Sequence, residues 1–198
     1  MPSLVVPFRG AKGKSRLGPL PAKARAELAE AMLADVVAAC AAVGPTFVVG
    51  PPWLALEGAR LVADPGGGQG AAVRAGLEAA LLGSGGAGPF LVVNADLPCV
   101  TPRDLLALAG AVPVGGLALA AAPDATTNAL ALSSPDLFAP LYGPGSAARF
   151  AALAEARSVE APNLVDDVDT LADLERVCAR LGARTRAVRA ALRSGAAA

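Results

Sequence analysis

The chain has 198 residues, of which 54% are hydrophobic and 17% charged; 17 basic residues balance 17 acidic ones, and histidine is absent. This length and apolar content fit one folded domain and exclude an intrinsically disordered protein. The zero net charge argues against nucleic acid as the main partner. Without histidine, Ser-His-Asp and Cys-His catalytic systems and histidine-ligated metal sites are excluded. Any catalysis must depend on carboxylates, basic side chains, hydroxyls, backbone amides or a hard metal ion.

The cysteines and the N-terminus predict a cytoplasmic protein. Cys40, Cys99 and Cys178 are far apart and form no CxxC pair, as expected in a reducing compartment. The first positive charges follow the first apolar run, which is the reverse of a signal peptide. The uncharged stretch 105–122 approaches the length of a membrane span, but the turn residues 113–116 interrupt it. We therefore expect a soluble protein without a membrane partner.

The first half of the chain alternates short apolar runs with segments of helical composition. Pro21 begins an alanine-, leucine- and glutamate-rich segment that predicts a helix to about residue 43, and a second helix is predicted over 71–82. Strands are predicted over 4–8, 46–49, 59–63 and 90–94. The last run is continuously apolar, which is typical of a buried parallel strand.

The second half contains capping signals. Thr101, followed by Pro102 and by Asp104, predicts a helix start, and Thr170 with Asp173 predicts another. Strands over 116–122 and 128–132 flank a polar turn, so we expect them to run antiparallel. Ser146 is expected to cap a helix over about 147–156.

These elements predict a single α/β domain with a mostly parallel, Rossmann-like sheet, helices on both faces and one antiparallel strand pair. We place the domain at 1–182 and an Ala/Arg-rich tail at 183–198. Ligands of such sheets bind beyond the carboxyl ends of the strands.

Two loops at that edge are rich in glycine. Gly13-Lys14-Ser15 resembles the end of a Walker A motif, but Phe8 stands where that motif needs glycine, so the loop predicts either a phosphate site of another kind or a solvated basic turn. Gly66-x-Gly68-x-x-Ala71 has the spacing of a dinucleotide fingerprint, yet it follows the third strand rather than the first. It predicts backbone close to a ligand or an ordinary tight turn.

Acidic residues occur at two places that favour a metal. Asp96 follows the buried strand over 90–94, and Asp167 and Asp169 lie two apart in a segment predicted to be extended. Residues two apart in an extended segment project to the same side, whereas Asp166 would point away. Carboxylates without histidine or cysteine suit Mg²⁺. The alternative is that these residues cap helices.

Two small polar loops, Thr127-Asn128 and 143–146, offer hydroxyls and amides to an anion or form ordinary turns.

Six short motifs stand in a characteristic order. They are Val6-Pro7-Phe8-Arg9 with Lys14-Ser15-Arg16-Leu17, Asp64 with Gly68 and Ala71-Ala72, Ala95-Asp96-Leu97-Pro98, Thr127-Asn128-Ala129-Leu130, Gly143-x-Gly145-Ser146, and Asp167-Val168-Asp169-Thr170. Together they resemble the 2-phospho-L-lactate or phosphoenolpyruvate guanylyltransferases of coenzyme F420 biosynthesis, which have the nucleotide-diphospho-sugar transferase-like fold.

The resemblance implies that the phosphate of a small acid attacks the α-phosphorus of GTP and expels pyrophosphate. It implies Mg²⁺ held by Asp96, Asp167 and Asp169, with Lys14 and Asp96 as catalytic residues. The nucleotide would be bound by Pro7, Arg9, Lys14, Arg16, Gly68 and Ala71. Of these, Arg9, Lys14 and Arg16 would contact the GTP phosphates, and the loop from Gly68 to Ala72 would approach the guanine or the ribose. The acceptor would be bound by Thr127, Gly145 and Ser146.

Arg9 replaces a lysine that is common in that family, Gly68-Gln69-Gly70 replaces Gly-Leu-Asn, and Phe150 replaces a histidine. The competing hypotheses are a molybdenum-cofactor nucleotidyltransferase, which would normally have a Gly-Gly-rich first loop, and a nucleotide-binding module without turnover. We also expect a homodimer, because long apolar helices accompany a neutral surface.

Overall fold

The computed structural model describes residues 1–10, 17–84 and 88–195. The strands are β1 (Ser3–Pro7), β2 (Thr46–Gly50), β3 (Arg60–Ala63), β4 (Phe90–Val93), β5 (Leu117–Ala121), β6 (Thr127–Leu132) and β7 (Ala156–Ser158). The helices are α1 (Ala22–Ala41), α2 (Gln69–Ser84), α3 (Pro102–Gly110), α4 (Ser146–Ala151), α5 (Pro162–Val165), α6 (Leu171–Arg176) and α7 (Ala183–Gly195). The elements predicted up to residue 132 agree with these bounds to within about two residues.

The strands form one sheet in the order β3-β2-β1-β4-β6-β5-β7. Strands β3, β2, β1 and β4 are parallel, β6 runs antiparallel to both β4 and β5, and β7 is parallel to β5. The predicted antiparallel pair, β5 and β6, is confirmed. Because β6 is reversed, its first residue lies at the same edge of the sheet as the last residue of β4.

Helices cover both faces of the sheet, as predicted. On one face, Leu4 and Leu91 pack with residues of α1, α3 and α5. On the other face, Val5 and Val92 pack with residues of α2 and α4. Successive strand residues thus enter opposite cores, which is why the strands are apolar throughout.

Local capping explains where two helices begin. Thr101 and Asp104 form a complete capping box at the start of α3, and Thr170 and Asp173 form one at the start of α6. The capping prediction for Ser146 is wrong. Gly145, at φ 69°, occupies the capping position without a side-chain hydrogen bond, and the helix ends at Ala151 rather than near 156. The hydroxyl of Ser146 is directed to another strand instead, as described below.

The C-terminal residues 183–195 form α7, which packs on α1. Asp35 of α1 accepts hydrogen bonds from the backbone N–H of Arg184 and Thr185, at 3.0 and 2.8 Å. The division between a domain at 1–182 and a tail at 183–198 stays a prediction. Within the described ranges, no helix is both long enough and apolar enough to cross a membrane, and the stretch 105–122 folds as helix, turn and strand, as predicted.

Candidate active site

The loops predicted to carry function lie side by side along one edge of the sheet. The segments after β3, β2, β1 and β4 emerge there in that spatial order, and the start of β6 follows because that strand is reversed. Each neighbouring strand adds about 5 Å along the edge. A ligand lying along this edge would meet in turn the residues near Gly68, Arg9, Asp96 and Thr127.

An acidic triad occupies the centre of the edge. Each of Asp96, Asp167 and Asp169 offers a carboxylate oxygen, and these oxygens all lie within 4.8 Å of one another. All three residues are partly buried. Three carboxylates at this separation form a donor set of the kind that a hard divalent cation prefers. The structure thus brings together the three aspartates that the sequence analysis had assigned to a metal.

Alternation along the chain explains why Asp167 and Asp169 face the same way. Val168 between them is fully buried, and its N–H donates to the carbonyl of Asp96 at 3.0 Å. The Val168 side chain packs in a small core that includes Met32 of α1. One buried valine therefore holds both acidic segments together and directs its two neighbours to the opposite side.

Asp166 points away from the triad, as predicted, and forms ion pairs with Arg176 and Arg180. Partial burial would raise the pKa of Asp166, but hydrogen bonds from the two guanidinium groups hold it below its usual value. Arg180 also donates to the side-chain oxygen of Asn163 at 2.8 Å. These contacts anchor the backbone on which Asp167 and Asp169 stand.

Asp167 shows the electrostatic cost of the triad. Burial, together with the negative charges of Asp96 and Asp169, raises the pKa of the Asp167 carboxyl to about 6. The side-chain amide of Asn128 opposes this rise, although its distance to the carboxylate is a long 3.5 Å. Because the mutual repulsion would be relieved by a positive charge, the cluster is suited to a cation.

A cavity of about 210 Å³ lies beside the triad. Pro7 and Arg9, both predicted to bind nucleotide, line it together with Asp96 and Asp169. Its remaining lining residues are Phe8, Gly10, Ala29, Met32, Gln69, Ala72, Asn94 and Ala95. Lys14 and Arg16, predicted to contact the nucleotide phosphates, lie outside the described residues.

The glycine-rich turn after β3 lies against Arg9. A side chain on Gly68 would place its Cβ 3.0 Å from the guanidinium of Arg9, and the φ of 99° at Gly68 also disfavours any other residue. Gly66 N–H donates to Asp64 at 2.9 Å, which closes the turn. Ala71 lies in the first turn of α2, and it is the next residue, Ala72, that lines the cavity.

Side-chain amides connect the cavity with the start of β6. Gln69 donates to the oxygen of Asn94 at 2.9 Å, and Asn94 donates to the carbonyl of Thr127 at 3.2 Å. Asn128 donates to the carbonyl of Val165 at 2.9 Å. These bonds fix the distances between the start of α2, the end of β4, the start of β6 and the acidic segment that follows α5.

Thr127 and Ser146, both predicted to bind the acceptor, form a buried hydroxyl pair. Their oxygens lie 3.0 Å apart, and the residues are 3% and 0% exposed. One hydroxyl donates to the other, so the pair keeps a proton that can be donated to an anionic oxygen. Gly145 precedes Ser146 and directs the chain into α4.

Arg149 shapes the loop that leads to Ser146. Its guanidinium donates to the carbonyls of Pro144 at 2.6 Å and of Leu141 at 2.8 Å. Phe150, at the position of the family's histidine, is fully buried and packs against Phe138 and Tyr142. In this chain that position belongs to the core and supplies no titratable group.

The sequence predicts no individual role for Asn94, Gln69 or Arg149, although Gln69 lies in the loop 68–72 that the resemblance puts near the guanine or the ribose. For Asn94 a signal existed, because a polar residue closing an apolar strand at the ligand-binding edge is unusual. For Gln69 and Arg149 the sequence offers no comparable signal, because their partners are carbonyl and amide groups brought close only by folding.

Comparison with known proteins places this arrangement in a family. A family model described as a MobA-like NTP transferase domain matches residues 12–167. The phosphoenolpyruvate guanylyltransferase of Rubrobacter xylanophilus is 38% identical over 202 residues, covering 94% of this chain and 98% of that protein. The enzyme of the same name from Sphaerobacter thermophilus is 40% identical over 129 residues, covering 62% of this chain and 61% of that protein.

Among solved structures, a protein from Desulfovibrio desulfuricans G20, provisionally described as a nucleotide-diphospho-sugar transferase, superposes with a TM-score of 0.73. The superposition covers 99% of this chain and 95% of that one at 17% identity, which shows a common fold. The chain therefore belongs to the MobA-like NTP transferases and, among these nucleotidyltransferases, to the phosphoenolpyruvate guanylyltransferase family.

Proposed function

We propose that this protein transfers GMP from GTP to the phosphate of phosphoenolpyruvate or 2-phospho-L-lactate. An oxygen of the acceptor phosphate forms a bond to the α-phosphorus of GTP, the bond from that phosphorus to the bridging oxygen breaks, and pyrophosphate leaves. The observation that carries the proposal is the placement of the acidic triad between the cavity at Arg9 and the hydroxyl pair Thr127–Ser146. The names of the relatives favour phosphoenolpyruvate as the acceptor.

The chemistry needs no histidine. A phosphate monoester is already ionised at neutral pH, so its oxygen attacks without a general base. Catalysis then depends on in-line positioning and on neutralisation of charge on the transferred phosphoryl group. The chain provides carboxylates and guanidinium groups for these tasks.

We propose Mg²⁺ as the cation held by Asp96, Asp167 and Asp169. The donor set fits, because it consists of three carboxylates whose mutual repulsion a cation would relieve. When bound, the cation would neutralise phosphate charge in the transition state. Asp96 would also be a catalytic residue. The segment that carries the other two aspartates is held next to it, because its backbone carbonyl accepts the N–H of Val168.

The nucleotide and the acceptor would lie on opposite sides of the triad. On one side, Pro7, Arg9, Gly68 and Ala71 would contact GTP, with Lys14 as a catalytic cation and Arg16 as a phosphate ligand. On the other side, Thr127 and Ser146 would donate to the phosphate or carboxylate of the acceptor, with the backbone at Gly145. The hydrogen bonds that Asn94 makes with Gln69 and with the carbonyl of Thr127 would keep the two substrates at a constant separation.

We place the reaction in coenzyme F420 biosynthesis, in a cytoplasmic protein. All three cysteines are free thiols, which supports the cytoplasmic location. The homodimer stays a prediction.

The decisive experiment is pyrophosphate release from GTP with Mg²⁺ and, separately, phosphoenolpyruvate, 2-phospho-L-lactate or 3-phosphoglycerate. We expect release with one of the first two and its loss in Asp96→Asn and Asp169→Asn. Asp136→Asn is the matched control, since Asp136 is exposed and its hydrogen bonds are to Ser134. Folded wild-type protein that releases no pyrophosphate with any of the three acceptors would contradict the proposal.

A further inference from the structure

Trp53 is the only tryptophan of the chain, and its side chain is 61% exposed. It follows β2 at the ligand-binding edge, after Pro51 and Pro52. The next residue, Leu54, is buried, and its N–H donates to the carbonyl of Pro51 at 3.1 Å. The turn is therefore anchored, and it presents the indole to solvent beside the proposed active site.

The order of the strands places Trp53 between the two nucleotide loops. Strand β2 is hydrogen-bonded to β1 on one side and to β3 on the other. The loop after β1 contains Arg9 and Gly10, and the loop after β3 contains Gly68. The guanidinium of Arg9 reaches across to Gly68, as described above. The indole therefore stands on the edge where these two loops meet.

Gly10 connects the indole with the cavity. This glycine lines the cavity, and a Cβ built on it would lie 3.9 Å from Cζ2 of Trp53. Because Gly10 has no side chain, nothing of that residue extends between the ring and the cavity mouth. A flat apolar face of this size, exposed beside a cavity that both apolar and charged side chains line, is typical of a surface that stacks a ring-shaped ligand.

We propose that Trp53 stacks on the base of the bound nucleotide. The inference rests on the proposed function, to which it adds the residue that holds the base. The indole carries no charge, which makes it a poor partner for phosphates, and the triad lies at the end of β4, about two strand spacings or 10 Å from β2. A nucleotide with its α-phosphate at the triad would therefore extend its base toward Trp53 and Gly68.

Because the chain has no other tryptophan, emission excited at a wavelength where its single tyrosine does not absorb reports on Trp53 alone. The wild type is titrated with GTP, GMP, guanosine and tripolyphosphate, and N-acetyl-tryptophanamide is titrated alongside to correct for absorption by the base. We expect quenching that saturates with GTP, GMP and guanosine but not with tripolyphosphate. Quenching by tripolyphosphate as strongly as by GTP, or none with any compound, would overturn the assignment.

Substitutions provide the second measurement. Trp53→Ala should raise the KM for GTP by about tenfold with the KM for the acceptor unchanged, while Trp53→Phe should stay within about threefold of the wild type. Leu82→Ala is the control for loss of an exposed apolar side chain, because Leu82 is 87% exposed. Helix α2 begins at the ligand-binding edge, and Leu82 near its other end lies away from that edge. A Trp53→Ala enzyme with unchanged KM for GTP would also overturn the proposal.

The two proposals fail in different ways. Wild-type protein that shows base-dependent quenching but no pyrophosphate release keeps Trp53 as a base contact and contradicts the proposed reaction. Wild-type protein that turns over GTP without base-dependent quenching keeps the reaction and removes Trp53 from the site.

Discussion

Asp167→Asn should make the metal-free protein more stable while it removes activity. The Asp167 carboxylate lies with those of Asp96 and Asp169 inside a 4.8 Å cluster, and its pKa is raised from 3.8 to about 6. Burial is the larger cause, and the two neighbouring charges add to it. An asparagine carries no charge, so the substitution removes both the desolvation penalty and the repulsion from Asp96 and Asp169.

The magnitude and the pH dependence of this gain in stability follow from the raised pKa of Asp167. A rise of about two pKa units corresponds to ~3 kcal/mol, which solvent screening of this partly exposed group reduces to about 1–2 kcal/mol. Since the folded state binds the proton more tightly than the unfolded state, Asp167 lowers stability as pH rises from about 4 to 6. The advantage of Asp167→Asn should therefore be complete at about pH 8 and vanish near pH 4.

Urea unfolding followed by far-ultraviolet circular dichroism, in EDTA and then in Mg²⁺, measures both effects. Mg²⁺ should stabilise the wild type more than the variant, because a ligand stabilises the state that binds it. Asp166→Asn is the matched control with the opposite sign. Arg180 and Arg176 hold the pKa of Asp166 below its usual value, so this variant should lose stability at neutral pH and lose less as pH falls. An Asp167→Asn protein that is less stable than the wild type at about pH 8 in EDTA would refute the reasoning.

Two further substitutions test the proposed acceptor site and the packing at the start of α2. Ser146→Ala should raise the KM for the acceptor by about tenfold and leave the KM for GTP unchanged, because the buried hydroxyl of Thr127 loses its partner and the pair loses one of its two hydroxyls. Equal changes in both constants, measured by pyrophosphate release, would contradict an acceptor role. Gly70→Ala should destabilise the protein by about 1–3 kcal/mol, because its Cβ would lie 2.4 Å from Cβ of Pro140. Gly110→Ala is the control with no heavy atom within 4 Å of its Cβ, and equal thermal denaturation midpoints for the two variants would show that the contact with Pro140 is unimportant.

The sequence contained enough information to predict the acidic triad. The period of two in an extended segment placed Asp167 and Asp169 together, and the position of Asp96 at the end of a buried strand placed it at the same edge. The valine between the two aspartates carries the complementary signal, because an apolar residue among acids predicts burial on the opposite side. The capping boxes at Thr101 and Thr170 were predictable for a related reason, since both partners are local in sequence.

The proposed acceptor site shows what local sequence patterns cannot predict. Ser146 after glycine is a good capping candidate, yet its hydroxyl pairs with Thr127, which is 19 residues away. Arg149 lies in the short helix α4. Its guanidinium shapes the preceding loop by donating to the carbonyls of Leu141 and Pro144, and these carbonyls come within reach only when the loop is folded. The reversed strand β6, which brings Thr127 to the edge, is a property of the whole sheet.

Reversal of β6 also brings the predicted acceptor residue Thr127 to the edge of the sheet that carries Asp96. If β6 ran parallel to β4, Thr127 would begin at the opposite edge, far from Asp96. Because it is antiparallel, Asn94 N–H donates to the carbonyl of Asn128 at 3.0 Å, and the hydroxyl pair lies one residue beyond this contact. Two phosphates, one from each substrate, would then approach each other beside the three carboxylates. Burial and mutual repulsion raise the pKa of Asp167 in this cluster, which favours a bound cation. The nucleophile then needs a position and a counter-charge but no base, and the proposed cation and Arg9 would supply the counter-charge.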